Sequence, residues 1–299
     1  MTQMNRVLKC VLTVGLVASL SGCLTGGTLR SARTLSPGVG EWGLGWTATR
    51  YDAGDVTMKM TDSKGVSQTV VEPNKSGAFV VPNILPEVNY HLGVADNVEI
   101  GGRASLGALT FEADVKYRFL HTGGLHLAID PTIGYAPFIF VQIVQATLPV
   151  LVTYEFSKSF SVLASAKGGY WSLSQLGSGS SSNSLSGTLS GSGPSFGGAI
   201  GVEFRGKTFA LRPFVDFTHI VESYKSTFSD TQNNYTSTAD VSQGLTLTTF
   251  GIAISWFSGL EMEKLEKMDD KLDRIEQKID EQNKSSDAKR AESDKQPKQ

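Results

Sequence analysis

The sequence predicts an all-β fold, an antiparallel up-and-down transmembrane β-barrel of about ten strands, followed by a C-terminal α-helix or short coiled coil. Three observations predict it. Between Glu41 and Trp256 the dominant hydrophobic period is two, the strand period. The connections between the periodic segments alternate between tight turns and longer, more variable loops. Beyond Phe257 the period changes to 3.5, which belongs to helices that pack on one another.

The clearest strand is Leu109 to Phe119, where Leu109, Phe111, Ala113, Val115, Tyr117 and Phe119 alternate with Thr110, Glu112, Asp114, Lys116 and Arg118. One face is apolar and the other mostly charged. Leu125, Leu127, Ile129, Ile133 and Tyr135 alternate with polar or small residues in the same way. Read through, the pattern gives strands near Gly40–Tyr51, Glu87–Val94, Val98–Leu106, Leu109–Leu120, Leu125–Tyr135, Thr147–Phe156, Phe160–Ser172, Ser195–Phe204, Thr208–Ile220 and Leu245–Phe257. Most are close to the 9–11 residues that a tilted strand needs to cross a bilayer.

Tight connections fall at Ala95-Asp96-Asn97, His121 to Gly124, Ser157 to Ser159 and Arg205-Gly206-Lys207. The intervening stretches 52–86, 136–146, 173–194 and 221–244 are long, and only the turn near Gly107 is short. Residues 55–71 read as a hairpin projecting above the barrel; if its arms crossed, the count would be twelve. Residues 174–193, nearly all Gly, Ser, Leu, Thr and Asn, read as a flexible loop, because so little apolar area cannot offset the entropy of ordering.

The N-terminus carries a secretory signal, with Arg6 and Lys9 ahead of an apolar run from Val11 to Leu20 that is too short to span a bilayer. It ends in Leu20-Ser21-Gly22-Cys23, which resembles the lipobox of bacterial lipoproteins. That resemblance implies cleavage before Cys23, acylation of its thiol with palmitate-class lipid, and a Gram-negative envelope protein. Residue 24 is Leu rather than the Asp that retains many such lipoproteins in the inner membrane, which implies sorting to the outer membrane by the lipoprotein-sorting machinery. Of the two cysteines in the sequence, Cys10 leaves with the signal. The mature chain therefore has no thiol for a disulfide or for catalysis.

The last strand, Thr249-Phe250-Gly251-Ile252-Ala253-Ile254-Ser255-Trp256, resembles the signal that outer-membrane barrels present to the barrel-assembly machinery. Thr249, Gly251, Ile254 and Trp256 take its polar, glycine, apolar and aromatic places, although here a tail follows. The resemblance to outer-membrane barrels covers about residues 40–257 and implies outer-membrane lipid as a partner, tight turns in the periplasm and loops outside. Aromatics cluster at strand ends as interfacial girdles require. Trp42, Tyr117, Phe119, Phe156, Phe160, Phe204, Phe209, Trp256 and Phe257 fall at the periplasmic rim, and Tyr135, Phe138, Phe140, Tyr170, Trp171 and Phe217 toward the outer one.

The resulting organisation is a lipoprotein signal peptide (1–22), a linker (23–39), the barrel (40–257), a periplasmic amphipathic helix (258–283) and a disordered tail (284–299). In the helix Leu265, Met268, Leu272, Ile275 and Ile279 take alternating a and d positions, with Lys264 and Lys271 at g and Asp269 and Glu276 at e. A homo-oligomeric coiled coil and a helix packed on another surface both fit this pattern.

The chain shows no site for chemistry. Its four His residues are too scattered for a metal spacing. His91 and His126 are expected on the polar face. Ten-stranded outer-membrane proteases place Asp and His on alternate residues of a strand, whereas Asp216 and His219 are three apart and fall on opposite faces. No Gly-x-Ser-x-Gly elbow is present. A net charge of −2 gives no reason to expect nucleic acid. On the polar face six acids (Glu99, Glu112, Asp114, Asp130, Glu155, Asp216) nearly match five bases (Arg103, Lys116, Arg118, Lys167, Arg212), which suggests internal pairing in a narrow lumen more than an ion-selective channel. The expected role is non-enzymatic, without cofactor, and structural or interactive. A small solute pore and a lipid-anchored soluble β-domain with its apolar faces packed inward are the alternatives.

Overall fold

The computed structural model describes residues 29–61, 65–73, 78–83, 85–105, 109–137, 141–175, 185–230, 235–258 and Ile275. Its strands are β1 (Gly40–Thr61), β2 (Ser67–Glu72), β3 (Phe79–Pro82), β4 (Glu87–Ala95), β5 (Val98–Ser105), β6 (Thr110–Thr122), β7 (Leu125–Ile129), β8 (Thr132–Pro137), β9 (Val141–Ser157), β10 (Phe160–Gln175), β11 (Leu185–Arg205), β12 (Phe209–Asp230) and β13 (Tyr235–Ser258). All ladders are antiparallel, and each wall strand pairs with its sequence neighbours. The sheet closes because β1 is bonded to both β4 and β13.

Ten wall positions make the ring, since β7 and β8 are two halves of one position between β6 and β9. The strand expected over Leu125–Tyr135 is broken at Asp130-Pro131, where proline has no N–H for the ladder; Val115 N–H donates to the Pro131 carbonyl there. The ten-strand count holds over twelve, because β2 pairs with Val56–Thr61 of β1 as a hairpin outside the ring, and β3 likewise pairs with β1 alone.

Alternation could not say which face points inward; closure decides it. Around the tight-turn half of the ring Glu99, Asp114, Lys116, Glu203 and Arg212 are buried, while Trp42, Phe111, Tyr117, Ile200, Phe250 and Trp256 are exposed on the outside. This is the reverse of a soluble sandwich and removes the inward-packed β-domain from consideration. On β12 the outward apolar run Phe209, Leu211, Pro213, Val215, Phe217 spans nine residues. At a rise of about 3.4 Å and a tilt of about 40° its eight steps cover roughly 21 Å along the axis, approaching the ~25 Å band of membrane barrels.

Farther along the same strands the two faces exchange character. On β10 the inward residues Ser161, Ser165 and Lys167 give way to Trp171 and Leu173, and the outward Val162, Ala164 and Tyr170 give way to Ser172 and Ser174. Tyr51, Ile143, Trp171, Leu173, Ile220, Tyr224, Leu245 and Leu247 form a buried apolar cluster inside this taller part. Trp171 is therefore an interior residue rather than part of the outer girdle. Phe257 is buried as well, beneath the Arg205 guanidinium at 4.4 Å.

Of the stretch expected to be a flexible loop over 174–193, the described residues are strand, since β10 runs to Gln175 and β11 begins at Leu185, and 176–184 lie outside the described residues. Ladder bonds are made by main chain, so glycine and serine satisfy them as well as valine does, and the apolar area comes from Trp171, Leu173 and Tyr224 across the interior. The 221–244 stretch is likewise mostly the paired ends of β12 and β13. The lipobox residues through Cys23 and the heptad positions Leu265, Met268, Leu272 and Ile279 lie outside the described residues. Ile275 alone of that segment is described, in helical conformation.

Ahead of β1, Ser36-Pro37-Gly38-Val39 forms a tight turn in which Val39 N–H donates to the Ser36 carbonyl at 3.0 Å. Proline at the second place and Gly38 at φ 83° are the signature of a type II turn. A Gly38→Ala variant is expected to lose about 1–2 kcal/mol from the left-handed strain on a residue with a Cβ. Urea unfolding in lipid vesicles, followed by tryptophan fluorescence, measures it.

Candidate functional site

Residues 29–39, read from the sequence as part of a linker, occupy the lumen. The turn at Pro37-Gly38 lies beside the tight-turn rim, where Gly38 N–H donates to the Gly93 carbonyl and Gly93 N–H to that of Val39. Gly93 is required by close approach, since a Cβ there would stand 2.3 Å from the Ser36 carbonyl oxygen. From this turn the segment runs into the barrel, and Leu29, Ser31, Ala32 and Leu35 are buried.

Two arginines fix it. The Arg30 guanidinium is shared by three wall carboxylates: Nη1 donates to Asp114 at 2.5 Å and Asp130 at 2.9 Å, and Nη2 to Glu99 at 2.7 Å. Burial works against this charge, but Asp130, Asp114 and Glu99 outweigh it and hold the Arg30 pKa well above its ordinary value. Arg33 pairs with Glu155 at 2.9 Å and with Glu203. These bonds are charge-assisted and planar, the geometry for which guanidinium is suited.

The backbone of the segment is bonded as well. Lys116 Nζ donates to the carbonyls of Ser31 at 3.1 Å and Arg33 at 2.7 Å and pairs with Glu99 at 2.8 Å. Ala32 N–H donates to Thr153 Oγ1 at 2.8 Å, and Leu35 N–H to Glu99 at 2.5 Å. Apolar side chains have their own seats: Leu29 packs with Leu163, Ala199 and Phe214, and Ala32 with Ala128 and Leu151.

The expected pairing of wall charges holds for some groups and changes for others. Arg103 pairs with Glu112, and Lys167 with Asp216 at 2.8 Å. Arg212 reaches Glu203 at 2.5 Å and Glu41 at 2.6 Å. Asp114, Asp130 and Glu155, however, take their arginines from the inserted segment, and Arg118 bonds Asn97 and the Asp96 carbonyl at the rim. The sequence signal was present in Arg30-Ser-Ala-Arg33 but could not be assigned a place without the closed ring.

The remaining expected positions are distributed as follows. His91 and His126 face inward and are buried; His91 lies 3.2 Å from Asp114 and His126 2.9 Å from Glu155. Asp216 is inside, whereas His219 is on the other face, against Phe196 and 3.0 Å from Thr246 Oγ1, so the two do not meet. Among the described residues no group of His, Cys, Asp and Glu is arranged to hold a metal ion. On the last strand Thr249 is buried against Thr49 at 2.9 Å, Gly251 gives room to the Phe214 ring, and Trp256 faces outward.

Beyond the inserted segment the lumen contains a polar cavity of about 80 Å³, bordered by Arg30, His91, Arg103, Glu112, Lys167 and Asp216. That is room for several ordered waters. Gln145 Oε1, buried and without a hydrogen-bond partner among the described residues, borders it too. A wider cavity of about 650 Å³ lies among the far ends of β1 and β10–β13, lined by Leu173, Tyr224 and Val241 of the apolar cluster and by Ser174, Ser192 and Asp240.

No protein-family model matches the chain, and no curated relative does. Among solved structures it is similar to the outer membrane protease OmpT from Escherichia coli, at 10% identity and a TM-score of 0.43, covering 76% of this chain and 100% of that one. It is also similar to the outer membrane protein OprG from Pseudomonas aeruginosa, at 14% identity and 0.33, covering 76% and 99%. Neisserial surface protein A follows at 9% and 0.30, covering 71% and 96%. The barrel assignment itself rests on the closed ring of ladders.

Arg30→Ala is expected to cost about 3–5 kcal/mol, because it leaves three buried carboxylates without their shared cation. Arg30→Lys recovers only part of this, since one ammonium lacks the fork that reaches Asp114 and Glu99 together. Urea unfolding of the two variants beside wild type measures both.

Proposed function

We propose that this chain is an outer-membrane barrel lipoprotein, acylated at Cys23, with a non-enzymatic structural or interaction role in the cell envelope. The observation that carries the reading is the inverted barrel: an apolar, aromatic-rimmed outside around a charged and filled inside. The apolar band approaches the height of the belt on membrane barrels, and aromatics such as Trp42, Tyr117, Phe156, Phe209 and Trp256 lie exposed at its tight-turn edge. The tight turns then face the periplasm, the compartment also proposed for the C-terminal tail, and the tall ends of β10–β13 stand outside the cell. Thr249, Gly251, Ile254 and Trp256 serve the assembly machinery in this reading.

A filled lumen supports an interaction role over transport. Two separate fillings lie in series along the axis, the inserted segment at one end and the Trp171–Tyr224 cluster at the other. Asp216 and His219, the pair that invites comparison with a protease, are on opposite faces, which supports the non-enzymatic reading.

The mature chain with Cys23→Ser is expected to remain in outer membranes and to migrate heat-modifiably on a gel. A soluble product would mean that the acyl chains were the sole anchor. In planar bilayers wild type is expected to show no steady conductance, and a steady one would replace this reading by a solute pore. Ile200→Lys places a charge on the exposed apolar face and is expected to cost about 2–4 kcal/mol in vesicles. A neutral effect in refolding titrations would sink the bilayer-spanning reading.

A further inference from the structure

The segment that fills the lumen is held in the manner of a bound peptide, and it adds no strand to the wall. Ring closure runs from β13 to β1 and owes no ladder to residues 29–36. Four seats within residues 29–33 receive it instead. Leu29 enters a pocket of Leu163, Ala199 and Phe214, and Ala32 a shallow one of Ala128 and Leu151. Arg30 takes the nest of Glu99, Asp114 and Asp130, and Arg33 that of Glu155 and Glu203. Between them Lys116 reads two carbonyls and Thr153 one amide, groups that any extended peptide carries.

We propose that the tight-turn half of the lumen is a binding site for an extended peptide bearing the pattern apolar-Arg-x-small-Arg, occupied here in cis by residues 29–36. Side-chain seats at fixed spacing with main-chain bonds between them are the general form of extended-peptide recognition. The wall is built for a cation-bearing ligand: five carboxylates meet the two arginines, Arg212 shares Glu203 with Arg33, and Lys116, paired with Glu99, also donates to two carbonyl oxygens of the segment. The chain's own segment holds the site by proximity, at a high effective concentration set by the short Pro37-Gly38 turn. A free peptide, or the matching segment of an envelope partner, competes for the same seats when that turn is opened. The inference extends the interaction role proposed above and rests on the barrel reading, but not on acylation of Cys23.

The test uses the mature Cys23→Ser chain with a specific protease site placed at the Pro37-Gly38 turn, folded into vesicles and then cut. A fluorescent peptide of residues 29–37 is added and its anisotropy followed. The cut barrel is expected to take up the peptide at least tenfold more strongly than the uncut one. Unlabelled peptide should displace it, and the peptide carrying Arg30→Gln and Arg33→Gln should bind at least tenfold more weakly. Gly93→Ala, whose Cβ meets the Ser36 carbonyl, provides a second route that needs no inserted site and should also admit the peptide. The proposal is overturned if the cut barrel keeps its heat-modifiable fold yet excludes the peptide in both variants, or binds the Gln peptide equally well. It is overturned as well if cutting collapses the barrel, since the segment is then permanent core. Membrane partitioning and heat-modifiability of the uncut chain report separately on the barrel reading.

Discussion

The guanidinium group of Arg30 is where the inside of this barrel balances. A barrel that turns its apolar side chains outward must accept the polar ones within, and ten strands leave too narrow a lumen for those charges to be fully hydrated. Glu99, Asp114 and Asp130 converge from β5, β6 and the β7–β8 break, and no base of the wall reaches all three. Arg30 does, because it arrives on a separate piece of chain down the axis. Taking such charges out of water is costly unless each is paired and bonded. The register of the inserted segment is fixed by that requirement, and with it the positions of Arg33, Leu29 and the turn that starts β1.

Along its axis the molecule solves the interior problem in two ways. In the part with an apolar exterior, the interior is ionic. In the taller part the exterior becomes hydroxyl-rich, the interior becomes largely apolar around the buried Glu222, and Trp171, Tyr224 and the surrounding aliphatic side chains pack together beside the wider cavity. The change falls near Tyr170-Trp171 on β10 and Phe217 to Ile220 on β12. It marks where the surrounding medium changes, since each face of a strand is chosen by what lies against it.

How much was legible depended on whether the signal was local. The number and order of the wall strands, the tight turns and the β1–β2 hairpin could be read, because period two and turn residues are properties of neighbouring positions. The ends of β10–β13 could not, because Gly and Ser make ladder bonds without leaving a hydrophobic pattern. Trp171 was assigned to the wrong face for a related reason: it lies one residue past Tyr170, where the two faces exchange character. The inserted segment was the largest omission. Leu29 to Val39 has no strand or helix period, so its arginines looked like those of a linker.

The sequence by itself determined the antiparallel wall, its ten positions and the segregation of charge to one face, since these follow from alternation along a single strand and from the chemistry of its turns. It also determined the lipobox-like Leu20-Ser21-Gly22-Cys23 and the heptad spacing after Phe257 as patterns. Only the tertiary structure decided that the charged face is the inside, that it changes character partway along, and that Arg30 and Arg33 complete it. Those facts depend on closure, which brings residues 69 to 170 positions apart within hydrogen-bonding distance, and no local period records which distant groups will share a cation.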